Sequence, residues 1–232
     1  MNPAIEKYTR FNLVKEMLET ADIIRGMDIE TIRNHTSILG SGPVFLTGEG
    51  SSRLLPAGKV RYDGLRYGYP QTITIEGAIQ ALDYDFSGTT VFAASNSGRT
   101  REVVMLLDAL DQDSITGTFA VVGSADSPIG RKTDDSYVLA SGPEKAVAAT
   151  KTVVEQALYY DLLFRLKNGK ELPDLNRIGD LFEETLLKVI PGEIADSLSD
   201  AGTIYWTGRT DGVAGELALK TNEITRKASD FL

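Results

Sequence analysis

The stretch Thr90-Val91-Phe92-Ala93-Ala94-Ser95-Asn96-Ser97-Gly98-Arg99-Thr100-Arg101-Glu102 decides the reading of this chain. Thr90–Ala94 is a short apolar run with β-branched and aromatic side chains, which suits a strand buried on both faces. Ser95–Thr100 is a polar turn, and Arg101–Asp111 has helical periodicity. That order places the turn at a helix N-terminus, where unpaired backbone N–H groups carry a partial positive charge. Gly98 lets backbone approach a ligand closely, and Ser95, Ser97 and Thr100 supply three hydroxyls. One hydroxyl suffices to cap a helix. Three hydroxyls and a glycine suit a phosphate. Capping alone is the competing reading.

The same grammar repeats on either side. Val44–Thr47, Thr72–Ile75, Thr118–Gly123 and Tyr137–Leu139 read as further short strands. Helical stretches begin near Arg53, at Ala78–Leu82, and at about Glu144, the last running to Leu166. Short apolar strands alternating with helices predict an α/β fold, a five-stranded parallel sheet flanked by helices in three layers. Residues 5–39 read as two helices broken at Gly26. Lys167–Asp174 is a polar linker, and about 175–199 a helical region. Thr203–Arg209 then repeats the strand-and-turn of Val44–Glu49, and Gly215–Lys227 reads as a helix. The expected division is therefore N-terminal helices over 1–39, a main domain over 40–170, a helical linker over 171–199, and the beginning of a second similar unit over 200–232.

Composition removes several function classes. Net charge is −9 over 232 residues, which disfavours nucleic acid and anionic membrane as partners. There is no cysteine, so disulfides, thiolate metal sites and thiol catalysis are excluded. The lone histidine, His35, rules out a multi-histidine metal centre and reads as structural or surface. No metal or other cofactor is expected. No apolar run is long enough to span a bilayer, and Met1–Lys7 lacks a signal-peptide layout, so a cytoplasmic protein is expected. A half-built second unit would expose apolar surface, which favours a homodimer or higher homo-oligomer.

Three further segments carry candidate chemistry. Gly48-Glu49-Gly50-Ser51-Ser52-Arg53 has Arg53 where a dinucleotide fingerprint needs a third glycine or alanine, so a nucleotide site is the weaker reading. Ser51 and Ser52 would instead join the first turn at the same sheet edge. Gly142–Thr152 precedes the long helix and reads equally as a proline-assisted helix start or as part of a site. On Gly215–Ile224, Glu216 and Lys220 form an ordinary i,i+4 pair on a solvated helix face, taken by themselves.

These segments, in this order, resemble the sugar isomerase (SIS) family of phosphosugar-binding domains over roughly residues 40–165. The two-domain members of that family, including the isomerase half of glucosamine-6-phosphate synthase, are the nearest in pattern. The resemblance implies that Ser95, Asn96, Ser97 and Thr100 hold a phosphate, with Gly50, Ser51 and Ser52 contributing. It implies that Val147, Ala149 and Glu144 line the sugar. It implies that Glu223 is the base moving a proton between C1 and C2, with Lys220 beside it. An enediol isomerisation needs one such carboxylate. The family often has serine where Ala149 stands and an acidic residue where Arg99 stands. Its ring-opening histidine lies after the position of Glu223, and His35 does not match it. A glutaminase half would need a cysteine nucleophile, which this chain lacks.

The resemblance thus implies a ligand of the sugar 6-phosphate class, fructose 6-phosphate or glucosamine 6-phosphate. The activity implied is aldose–ketose isomerisation or amino-sugar-phosphate deamination without a glutaminase domain. A non-catalytic binding or sensing module is the alternative.

Overall fold

The computed structural model describes residues 5–232. Residues 1–4, on which the signal-peptide reading partly rests, lie outside the described residues. Three N-terminal helices, α1 (Glu6–Thr9), α2 (Asn12–Arg25) and α3 (Ile29–Asn34), precede the sheet. Asp28 ends the break at Gly26 by capping α3, its carboxylate accepting from the Glu30 and Thr31 N–H groups.

The main body alternates β1 (Val44–Thr47), α4 (Leu54–Tyr67), β2 (Ile73–Glu76), β3 (Thr90–Ser95), α5 (Arg101–Ala109), β4 (Gly117–Val122), β5 (Asp135–Val138) and α6 (Lys151–Lys167). The five strands form one parallel sheet in the order β2-β1-β3-β4-β5. Strand alternation splits the core in two. Leu46, Phe92, Ala94, Phe119 and Val121 face α4 and α6 in one cluster. Phe45, Val91, Ala93, Ala120 and Val122 meet Val103, Leu106 and Leu107 of α5 in the other. All residues of β1 and β3 are buried, as central strands covered on both faces require. The expected α/β architecture is present.

α6 is the spine of one layer. Tyr159, Tyr160, Leu162, Leu163 and Phe164 are all essentially buried, each worth about 1.5–3 kcal/mol for an aliphatic or phenyl group. It packs on α2 and α4. His35 lies against it: Nδ1 is 3.2 Å from the Tyr159 hydroxyl, and the ring packs on Phe119, Tyr137 and Tyr159. Burial pushes the His35 pKa down. A depressed histidine pKa means the unfolded chain takes up the proton first. Stability from this group is complete above the unfolded value of about 6.5 and is lost as pH falls through it, at no more than about 1.4 kcal/mol per pH unit. Denaturant melts at pH 7.5 and 5.5 should show a larger loss for the wild type than for His35→Phe. Equal losses would remove His35 from the acid response.

Several boundaries differ from the expectation. The stretch 175–199 is two helices, α7 (Leu175–Leu187) and α8 (Gly192–Asp200), because Pro191 cannot continue α7 and becomes the N-cap of α8. Ala78–Leu82 gives only a 3₁₀ turn at Gln80–Asp83. The long helix starts at Lys151 rather than near Glu144. Residues 140–150 are irregular, because carboxylates satisfy their backbone where helix bonds would otherwise do so.

After α8 come β6 (Thr203–Trp206), α9 (Val213–Thr225) and β7 (Ala228–Phe231). β6 and β7 pair in parallel as a separate two-stranded sheet. The expected helix to Lys227 therefore ends at Thr225, and a strand that sequence reading missed follows. Arg226, at φ 57°, turns the chain, and Lys227 Nζ donates to the Ser199 and Ala201 carbonyls at 2.6 and 2.8 Å. α9 packs on α4 where glycines meet: a Cβ on Gly212 would fall 2.2 Å from the Leu54 carbonyl oxygen.

Candidate functional site

The sheet order fixes where a ligand can sit. From β1 the chain crosses to β2 on one side, and β3 then lies on the other side of β1. The carboxyl ends of β1 and β3 therefore flank the topological switch point, where open α/β sheets leave a crevice. The Gly48–Ser52 segment leaves β1 there, with Gly50–Ser52 as a 3₁₀ turn, and Asn96–Thr100 leaves β3 beside it.

The turn after β3 is held by its own backbone. Gly98 has φ 61°, and a Cβ there would stand 2.1 Å from Ser127 Oγ, so glycine is required on two counts. Gly98 N–H donates to Ser95 Oγ at 3.1 Å, and Arg99 N–H donates to Ser97 Oγ at 3.2 Å. Ser95 Oγ lies 2.8 Å from Thr100 Oγ1 and 3.5 Å from Ser97 Oγ. With Ser95 donating to Thr100, the backbone uses hydroxyl lone pairs and leaves the Thr100 and Ser97 protons for an anion. Thr100 is the N-cap of α5 but makes no side-chain cap bond. The first-turn N–H groups of α5 therefore stay open as well. Ser95 is buried, Ser97 exposed and Asn96 half-buried, with the Asn96 carbonyl accepting from Gly123 N–H at 3.0 Å.

α9 delivers a charged group to the other turn. Lys220 Nζ lies 2.6 Å from Ser51 Oγ, 3.0 Å from Glu223 Oε2 and 3.4 Å from Glu216 Oε1. Because the ammonium can only donate, Ser51 accepts and keeps its own proton for a ligand. Glu216 is 7% exposed, and its oxygens have no hydrogen-bond partner, so Lys220 is the charge that balances it. The Glu223 side chain is about one-third exposed and remains reachable. A carboxylate beside an ammonium at an open crevice can accept a proton and pass it on. The Ser51–Ser52 turn is positioned from outside. Arg53 Nη1 pairs with Glu76 Oε1 at 2.8 Å, and Glu49 Oε1 accepts from Ala78 N–H at 3.0 Å.

The 140–150 loop has different support. Glu155, fully buried on α6, accepts from Tyr137 Oη, Ala140 N–H and Ser141 N–H at 2.8–2.9 Å. Glu16 of α2 accepts from Lys145 N–H at 2.5 Å and Ala146 N–H at 3.1 Å. Glu144 accepts from Thr150 N–H at 2.6 Å, Thr150 Oγ1 at 2.7 Å, Lys151 N–H at 3.0 Å and Thr152 Oγ1. Glu144 thus caps α6 from upstream, Val147 is fully exposed and Ala149 is half-buried.

The structure therefore brings Ser95, Ser97 and Thr100 together in one turn, and joins Ser51, Lys220 and Glu223 across two elements. Among the described residues no hydrogen bond ties Val147 or Ala149 to either group. Sequence reading passed over Glu16 and Glu155, and took Glu216 for a member of an exposed ion pair where the structure buries it. Of these only Glu216 left a signal, an acid between Ala214 and Ala218 with Lys220 four residues further on. Among the described residues no group of three or more His, Cys, Asp or Glu is placed to hold a metal, and no helix is long and apolar enough to cross a membrane.

Comparison with known proteins agrees with this architecture. The glutamine–fructose-6-phosphate aminotransferase [isomerizing] of Aeropyrum pernix is 30% identical, over 92% of this chain and 38% of that protein. The chain spans between 24% and 38% of the length of the curated relatives it matches. The C-terminal domain of glucosamine-fructose-6-phosphate aminotransferase from Francisella tularensis superposes with a TM-score of 0.72 at 17% identity, covering 99% of this chain and 71% of that one. A glucosamine-6-phosphate deaminase from Thermotoga maritima gives 0.75 at 18% identity, covering 96% and 70%. At such identities these two show the fold. The SIS domain model matches residues 44–166, more than half of the chain and all of the five-stranded sheet. With that match lying over the switch-point crevice, the chain belongs to the SIS domain family.

Proposed function

We propose that the chain binds a sugar 6-phosphate, with the Ser95–Thr100 turn as the phosphate anchor. The carrying observation is the turn's hydrogen-bond pattern: its backbone occupies hydroxyl lone pairs and leaves O–H groups at the start of α5. Ser51 and Ser52 extend the anchor, and the sugar lies toward Lys220 and Glu223, with Val147, Ala149 and Glu144 of the Gly142–Thr152 segment on its far side. The relatives support this ligand class, since one is a glutamine–fructose-6-phosphate aminotransferase and a structural neighbour is a glucosamine-6-phosphate deaminase.

The finer reading is an aldose–ketose isomerase or an amino-sugar-phosphate deaminase. Glu223 carries the proton between neighbouring carbons, and Lys220 holds Glu223 and Ser51 in register. β6–α9–β7 is then the start of a second SIS-like unit that supplies these two residues.

The test is calorimetric titration with fructose 6-phosphate and glucosamine 6-phosphate. Ser97→Ala with Thr100→Val should weaken both by about 1–3 kcal/mol, the range for bonds to a charged group. Unchanged affinity would discard the anchor.

A further inference from the structure

A cavity of about 350 Å3 lies between the edge of the main sheet and the turn that leaves β6. It is in the size range of small-ligand sites. Arg53, Arg61 and Arg209 line it, and no Asp or Glu does. Leu54, Ile75 and Phe231 give it an apolar wall. In a chain of net charge −9, guanidinium groups around one cavity that exceed the carboxylates paired with them give it a local positive charge.

Their partners leave charge to spare. The ion-paired arginines among the described residues are Arg25, Arg33, Arg53 and Arg165. Arg61 and Arg209 are outside that set. Arg53 uses Nη1 on Glu76, while its Nε is buried with no hydrogen-bond partner. Guanidinium groups present flat, forked donors suited to phosphate oxygens.

The placement repeats that of the first site. Gly208-Arg209-Thr210 leaves the carboxyl end of β6 as Gly48-Glu49-Gly50 leaves β1. Each lies at the end of a parallel strand and before a helix, the place where α/β folds hold ligands. At the first turn the hydroxyls are offered to a ligand; at the second the group offered is Arg209, with Arg53 and Arg61 facing it from the start and body of α4.

We infer that this cavity is a second anion site, for a small phosphate monoester with an apolar or aromatic body, separate from the Ser95–Thr100 turn. The arginines take the phosphate, and Leu54, Ile75 and Phe231 take the body.

The probe is phenyl phosphate, titrated into the intact chain by calorimetry beside inorganic phosphate. The wild type should bind phenyl phosphate more tightly than inorganic phosphate. Arg61→Ser with Arg209→Ser should weaken phenyl phosphate roughly tenfold or more, as loss of charge-assisted contacts does, and leave fructose 6-phosphate affinity unchanged. Both positions are exposed, so the fold should survive, which a thermal melt checks. Ser97→Ala with Thr100→Val should leave phenyl phosphate binding unchanged. That separates this site from the proposed sugar-phosphate anchor. Wild-type indifference to phenyl phosphate, full affinity in the arginine variant, or loss of binding in the Ser97 and Thr100 variant would each overturn the inference.

Discussion

Glu223→Gln is expected to slow exchange of the C2 proton of glucosamine 6-phosphate, or of the C1 protons of fructose 6-phosphate, with solvent deuterium by about 10²–10⁴-fold, the usual worth of a positioned base. Affinity for the sugar phosphate should stay nearly constant. The reason lies in what the substitution keeps. The amide oxygen of glutamine still accepts from Lys220, now 3.0 Å from Glu223 Oε2, so the link from Lys220 to Ser51 survives. Only the capacity to hold a proton is lost. Loss in kcat with KM unchanged is the signature of a group acting in the transition state alone. Lys220→Met makes the contrast. It removes the charge balancing buried Glu216 as well as the contact to Ser51, so stability should fall along with exchange. NMR in deuterated buffer reads exchange directly and needs no knowledge of the final product. A Glu223→Gln protein that exchanges at the wild-type rate would remove Glu223 from the base role.

Much of this site was legible because its pieces are local in sequence. Thr90–Ala94 is apolar throughout, Ser95–Thr100 is polar, and Arg101 opens a helix. Each neighbour constrains the next within a few residues. Once the strands are ordered, the crevice between β1 and β3 follows from topology, and so does the placing of the Ser51 and Ser97 turns at the ends of neighbouring strands. What stayed hidden depends on partners far along the chain. Glu144–Thr150 contains good helix formers, and local propensity favours a helix. The observed loop prevails because Glu16, more than a hundred residues earlier, accepts from Lys145 and Ala146. β7 was missed for a related reason. Ala228–Phe231 is half polar, and only pairing with β6 makes it a strand. Glu216 looked like half of a surface ion pair until the packing of α9 on α4 buried it.

The same long-range logic gives the largest expected effect on stability. Glu155→Leu should destabilise the protein by about 3–5 kcal/mol, the range for breaking a buried, partnered charge. The carboxylate is fully buried, its bonds from Tyr137 and Ser141 are buried, and its bond from Ala140 is part-buried. Leucine fills similar volume but leaves the Tyr137 hydroxyl and the Ala140 and Ser141 N–H groups unpaired, at roughly 1–3 kcal/mol for each group that water cannot reach. Burial already pushes the Tyr137 phenol up, so that hydroxyl cannot escape the cost by ionising. At about 2–4 °C per kcal/mol for a chain of this size, the melting temperature should fall by roughly 6–20 °C. Glu155→Gln keeps one acceptor but turns an NH₂ toward an N–H, and should cost about half as much. Amide exchange at Ala140 and Ser141 should quicken in both variants. Glu16→Gln separates the anchors, because it acts in the middle of the loop and leaves its root tied to α6. It should speed exchange at Lys145 and Ala146 while leaving Ala140 and Ser141 protected. A Glu155→Leu protein melting within about 2 °C of the wild type, less than one unpaired buried group costs, would mean that these donors find other partners and that the loop does not depend on its carboxylates.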